Sequence, residues 1–201
     1  MKSDAFMRFT RYILAMHISD AITARRSTKR FTDRPVTREE IETLLQAAVH
    51  APNHHLNQPW RFYVLGPEAR HQYGLALGDR KARKIENADA AQAMREKVAL
   101  EHRMLPAMIA VAVVHTDNAE MREEDYAATM MAIQNLSLVA VSLGLGSHIK
   151  TGAVMSDPVA RAATGVADGE RIVAIVNVGQ PQEQMPASSR KPAADLTTWL
   201  P

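Results

Sequence analysis

The stretch APNHHLNQPWRFYVL, residues 51–65, sets two histidines, two asparagines and a glutamine directly before a tryptophan and a short apolar run. So much hydrogen-bonding capacity where a helix gives way to a strand is how a fold presents polar groups to a ligand. A second stretch, ARRSTKR at residues 24–30, gathers Arg25, Arg26 and Lys29 around the hydroxyls of Ser27 and Thr28. Guanidinium forks, an ammonium and a serine hydroxyl suit a phosphate dianion. The alternative is a solvated basic turn whose charges favour a helix C-terminus.

Metal chemistry fits less well. His50, His54 and His55 are close in sequence, but Pro52 breaks the helix that would put positions 50 and 54 on one face, and the loop holds no carboxylate. The chain has no cysteine, which excludes thiolate nucleophiles, thiolate metal sites and disulfides. No nucleophile-elbow pattern surrounds a serine, and neither a P-loop nor a GxGxxG is present. GLGSH carries only a lone GxG, more often a helix stop than a phosphate loop.

The elements that must position these residues can be read from periodicity. Ser19 or Asp20 is expected to cap a first helix running into AITARRSTKR. Thr37 and Glu40 have capping-box spacing ahead of Ile41, Leu44, Leu45, Ala48 and Val49, which repeat at helical period, and Pro52 ends that helix. RFYVLG reads as a strand stopped by Gly66. Residues 67–105 read as mostly helical with a thin apolar stripe, too charged for deep burial and therefore a solvated helix or a mobile lid. MIAVAVVH at 108–115 is a buried strand. EDYAATMMAIQNLSLVAVSLGLG is apolar nearly all round, which predicts a central helix buried on several sides and ended by Gly144 and Gly146. SHIKTG reads as a short strand or turn, and Ser156 or Asp157 with Pro158 opens another helix. RIVAIVNVGQP is the last core strand, and the polar tail from Gln182 crosses the surface toward something that holds it.

With 201 residues, 46% hydrophobic and 23% charged, the chain reads as one soluble globular domain. Residues 1–18 mix charges into apolar positions, which predicts a short amphipathic extension, neither a membrane span nor a signal peptide. A net charge of +2 and aromatics at 5% argue against nucleic acid. The absence of cysteine permits a reducing cytoplasm. The central helix is too apolar for a monomer, so a homodimer is expected.

In this order, RRSTKRF, APNHHLNQPWRF, a glycine-flanked GLGSHIKTG after the central helix and a late SSRKP, the chain resembles the nitroreductase family of flavin enzymes. The resemblance runs from about residue 19 to the end and leaves the first 18 residues outside. It implies an α+β fold, with a central, mostly antiparallel sheet flanked by helices, in an interlocked homodimer that binds FMN at sites shared between subunits. It further implies that Arg25, Arg26 and Ser27 hold the phosphate and ribityl chain and that Lys29 sits by the pyrimidine end of the isoalloxazine. His50, Asn53, His54, His55, Asn57 and Gln58 would line the flavin of the other subunit. His148, Ile149, Lys150 and Thr151 would pass the ring, and Arg190 and Lys191 would reach the phosphate.

The histidine-bearing loop resembles a compact branch of short members, unlike larger ones with small residues there. The implied chemistry is a ping-pong hydride transfer from NAD(P)H through flavin N5 to a nitroaromatic, quinone-like or related small acceptor, with no protein acid or base. A relative with another reaction (dehalogenation or flavin fragmentation) and a flavin-storing or sensing dimer are the alternatives.

Overall fold

The computed structural model of the protein describes residues 16–201; the expected N-terminal extension therefore lies almost wholly outside the described residues. The first described helix, α1 (Ile18–Ala24), is capped at His17, two or three residues before the Ser19 or Asp20 that the sequence predicts. His17 occupies the N-cap and makes no side-chain cap bond, while Asp20 falls in the first turn, where the helix dipole favours an anion. Helix α2 (Arg38–Ala48) follows its prediction. Thr37 accepts from the Glu40 amide and the Glu40 carboxylate takes the Thr37 amide at 2.9 Å. Burial raises the Glu40 carboxyl, but hydrogen bonds from Arg34 and Thr37 and the Arg34 charge outweigh it and hold the group below its ordinary value. Thr37→Ala should lower unfolding stability by about 1 kcal/mol, read as a drop in thermal midpoint.

Strands β1 (Trp60–Val64), β2 (Ala107–Val114), β3 (Gly146–Lys150) and β4 (Glu170–Gly179) form one antiparallel sheet in the order β1-β2-β4-β3. Strand β2 is central, and its alternation sorts the core. Ile109, Val111 and Val113 face a cluster with Leu44 and Ala48 of α2 and Ile133, Leu136 and Ala140 of α5 (Ala119–Ser142). Met108, Ala110 and Ala112 face the other side, toward Tyr73 and Ala76 of α3 (Pro67–Ala82) and Ala160 of α6 (Pro158–Thr164). A register shift at Val111/Ala112 leaves Val173 as the extra residue on β4, so Val173 and Ala174 both join the α5 side. Helix α6 is capped by Asp157 with Pro158 at its first turn, as predicted.

Residues 67–105 are helical, as the sequence predicts, but more deeply packed than expected. They form α3 and α4 (Ala88–Arg103), packed against each other closely enough that a Cβ on Gly74 would come 2.7 Å from the Ala99 Cα, and one on Gly78 2.8 Å from the Arg95 Cα. Tyr73, Val98, Ala99 and His102 are buried. The stripe looked thin because glycine and alanine supply the contact: small residues bury backbone against backbone without large apolar side chains. The outward charges pair across the hairpin, Arg95 with Asp79 at 2.6 Å and Arg103 with Glu68. Helix α5 also begins before its apolar run, at an Asn118 cap whose side chain accepts from the Met121 amide. The tail ends in exposed Leu196, Trp199 and Leu200. Among the described residues no helix is long and apolar enough to cross a membrane.

Candidate active site

The basic segment is strapped along the sheet. Leaving α1 at Arg25, the chain turns extended and Ser27 bridges Ser147 of β3 in parallel, with the Thr28 amide donating to the Ser147 carbonyl at 2.9 Å. Phe31 then bridges Pro181 beyond β4. Thr28 is buried over Gly146, where an added Cβ would overlap the Thr28 side chain, 2.7 Å from its Cβ. Gly146→Ala must therefore push Thr28 off the strand, and it is expected to cost about 1–3 kcal/mol of stability in a denaturant titration. In an extended segment, burying Thr28 turns its neighbours Ser27 and Lys29 outward; both are exposed.

The tail returns to this strap. Arg25, Arg26, Ser27, Met185, Pro186, Ser188 and Arg190 line a small cavity of about 110 Å³. Its cations are not equivalent. Arg26 is committed to carbonyl oxygens, those of Thr23 at 2.5 Å, Arg25 at 2.9 Å and Pro186 at 3.2 Å, so it ties the tail to the strap. Arg25 makes no side-chain hydrogen bond among the described residues, and Arg190 reaches only the Ser189 carbonyl. These two guanidiniums retain donors for a ligand. Lys191 is exposed and does not line the cavity.

On β3, Ile149 packs with the α5-side cluster, so His148 and Lys150 point the other way. The Lys150 ammonium lies 3.3 Å from His102 Nε2, and His102 Nδ1 lies 2.8 Å from the Val98 carbonyl. A carbonyl at Nδ1 demands a proton there, leaving Nε2 as the acceptor for Lys150. The Lys150 side chain is thus drawn toward α4, and only its main chain stays on the strap side. Burial lowers the affinity of His102 and of Lys150 for a proton, and Lys150 adds to the effect on His102. His148 is also lowered, by burial first and then by Lys150 and Lys29, which favours its neutral form. His102 is absent from the sequence-predicted set, since nothing in its helical context marks it as the partner of a residue on β3.

The loop at 53–58 lies before β1, at the far edge of the sheet. Three strand spacings separate β1 from β3 and the strap adds a fourth, so the loop and Arg25 stand on the order of 19 Å apart across one chain. One chain does not bring them together. His55, Leu56 and Gln58 all have left-handed backbone, with φ of 53°, 53° and 46°. The Asn53 side chain holds this shape by accepting from the Gln58 amide at 2.9 Å, and Asn57 donates to Asp125 of α5 at 3.3 Å. His54 and His55 are exposed and contact each other edge to face, with ring centroids 3.9 Å apart. His50 turns back to Gln46 at the end of α2, away from them. Among the described residues no group of three or more His, Asp or Glu could hold a metal ion.

The family model described as the Nitroreductase family matches residues 22–180. YfhC of Bacillus subtilis (strain 168), which carries a provisional NAD(P)H nitroreductase name, is 31% identical over 186 residues, spanning 91% of this chain and 94% of the relative. A nitroreductase-like family protein from Bacillus cereus has a TM-score of 0.79 at 29% identity, over 92% of this chain and 96% of that one. A provisionally named nitroreductase from Desulfovibrio desulfuricans, solved in complex with FMN, has a TM-score of 0.70 at 26% identity, over 92% of this chain and 98% of that one. Sequence and fold agree over the region that carries the strap, the sheet and the loop: this chain belongs to the nitroreductase family.

Proposed function

We propose that the protein is an FMN-dependent oxidoreductase of the cytoplasm that takes reducing equivalents from NAD(P)H and passes them to a nitroaromatic, quinone-like or related small acceptor. One observation carries this reading. The strap along β3 and the returning tail build a cavity in which Arg25 and Arg190 keep unspent donors beside the Ser27 hydroxyl. Those donors fit a phosphate monoester.

When bound, FMN supplies a hydride-accepting and hydride-returning centre at N5. The chain's own residues bind and orient. Arg25, Arg190 and Ser27 hold the phosphate, and Arg26 keeps the tail in place to do so. Lys29, outward on the strap beyond Ser27, would supply positive charge to the flavin's pyrimidine end and so favour electron acceptance there. The main chain at Ile149 to Thr151 would run past the ring, with Lys150 anchored behind by His102. The functional unit is a homodimer in which loop 53–58 of one subunit closes the site of the other, which accounts for strained, exposed polar residues so far from the strap.

The experiment is a visible spectrum of the purified protein, followed by anaerobic NAD(P)H addition and then an acceptor panel. A flavin spectrum that bleaches with NAD(P)H and recovers with an acceptor is expected. A bound flavin that NAD(P)H does not bleach would favour a storage role.

A further inference from the structure

Where β3 ends, Tyr126, Thr151, Gly152, Met155, Ser156, Arg171, Ile172 and Val173 enclose a cleft of about 340 Å³, separate in its lining from the phosphate cavity. Its size lies at the lower end of the small-ligand range. Its polar centre is Arg171, the second residue of β4, whose guanidinium carbon sits 5.2 Å from the centre of the Tyr126 ring. Among the described residues no carboxylate pairs with Arg171 and no oxygen accepts a hydrogen bond from it.

The acids next to Arg171 and Tyr126 in the chain, Glu170 and Asp125, are engaged elsewhere. Glu170 alternates to the opposite face, where its carboxylate accepts from the Tyr63 hydroxyl at 2.7 Å. Asp125 accepts from Asn57. An aromatic face orients the guanidinium without using up its N–H donors, so Arg171 is held in place with its fork free. The rest of the lining combines a thioether and aliphatic wall (Met155, Ile172, Val173) with two hydroxyls (Thr151, Ser156).

The geometry points to an anion-recognition subsite for a planar aromatic carrying a carboxylate or a like pair of anionic oxygens. Arg171 forks onto the anion, Tyr126 positions Arg171, and the ring lies against Met155, whose sulfur favours aromatic neighbours. Since Thr151 and Gly152 both line the cleft and follow directly on β3, the strand proposed to pass the flavin, the ligand so held is the electron acceptor. That last step rests on the reductase reading; the anion subsite does not.

Two measurements test it in the full-length protein. The first is the ratio of kcat/KM for 4-nitrobenzoate to that for nitrobenzene. Arg171→Gln is expected to lower this ratio about tenfold or more, through KM, and Arg171→Lys to recover part of the loss. The second is calorimetric binding of benzoate, which cannot be reduced: the same variants should weaken it in the same order. Tyr126→Leu, which leaves the guanidinium present but unheld, should lower both quantities less, and it serves if Arg171→Gln does not accumulate. An unchanged ratio, a change confined to the KM for NAD(P)H, or no benzoate binding by the unaltered protein would overturn the subsite. An unaltered protein that reduces no acceptor yet binds benzoate through Arg171 would overturn the reductase reading and leave the subsite standing.

Discussion

Arg25→Ala should weaken FMN binding by about tenfold to a hundredfold while leaving riboflavin binding nearly unchanged, so that the preference for the phosphorylated flavin collapses. The size follows from losing one charge-assisted hydrogen bond of about 1.5–3 kcal/mol. Arg25 is chosen because it makes no side-chain hydrogen bond among the described residues, although it lines the cavity beside Ser27 and Arg190. Arg26 provides the contrast. Its guanidinium is committed to the carbonyls of Thr23, Arg25 and Pro186, so Arg26→Ala should loosen residues 185–190 and show faster amide exchange there. Fluorescence titration of the flavin-free protein with FMN and with riboflavin measures the first effect. Equal losses for the two flavins in Arg25→Ala would mean that the residue serves the fold and not the phosphate.

The difference between these two adjacent arginines shows where sequence reading stops. That Arg25 and Arg26 both lie in a phosphate-suited run is visible from residue types; that one is spent on backbone carbonyls depends on a tail more than 150 residues later returning to the strap. The same division holds elsewhere. The capping box at Thr37, the continuous apolar run of β2 and the Asp157-Pro158 start of α6 are local signals, and the structure follows them. The burial of the α3–α4 hairpin is not legible in the sequence because its packing runs through Gly74 and Gly78, residues that carry no hydrophobic signal. Lys150 reads as a residue facing a ligand until His102, from an element 48 positions away, supplies an acceptor for its ammonium. Arg171 and Tyr126 meet only because β4 and α5 cross, and neither sits in a recognisable motif. The left-handed turn is hidden in the sequence because Leu56 and Gln58 are not types that favour that conformation, and His55 alone is a weak signal.

That loop carries the last prediction. Mixing an Arg25→Ala variant with a His54→Ala variant, at an FMN concentration low enough that each alone is nearly inactive, should restore about a quarter of the activity of the unaltered protein after subunit exchange. The reasoning starts from distance. Within one chain, Arg25 sits outside β3 and His54 lies before β1, on opposite edges of the sheet, and neither of the two cavities described above is lined by both. Each left-handed non-glycine residue costs on the order of 1–3 kcal/mol, and such strain persists where surrounding contacts over-determine it. The polar contacts within the chain are mostly local: Asn53 with Gln58 and Ala51, the Asn57 backbone amide with the His54 carbonyl, Arg61 with the Gln58 carbonyl and the mutual contact of the two histidine rings. Asn57 to Asp125 is the one that reaches across to α5. A second subunit, related by a two-fold axis, would supply the rest by setting loop 53–58 against the partner's strap. In a mixed dimer one site then carries both lesions and the other neither. Random exchange makes about half of the dimers mixed, and one good site in each gives the quarter. A protein with each site built from a single chain would stay inactive at every mixing ratio, and exchange verified by mass-tagged subunits separates that result from a failure to mix. Such an outcome would leave Asn53, His54 and His55 as residues that shape the turn before β1 and nothing more.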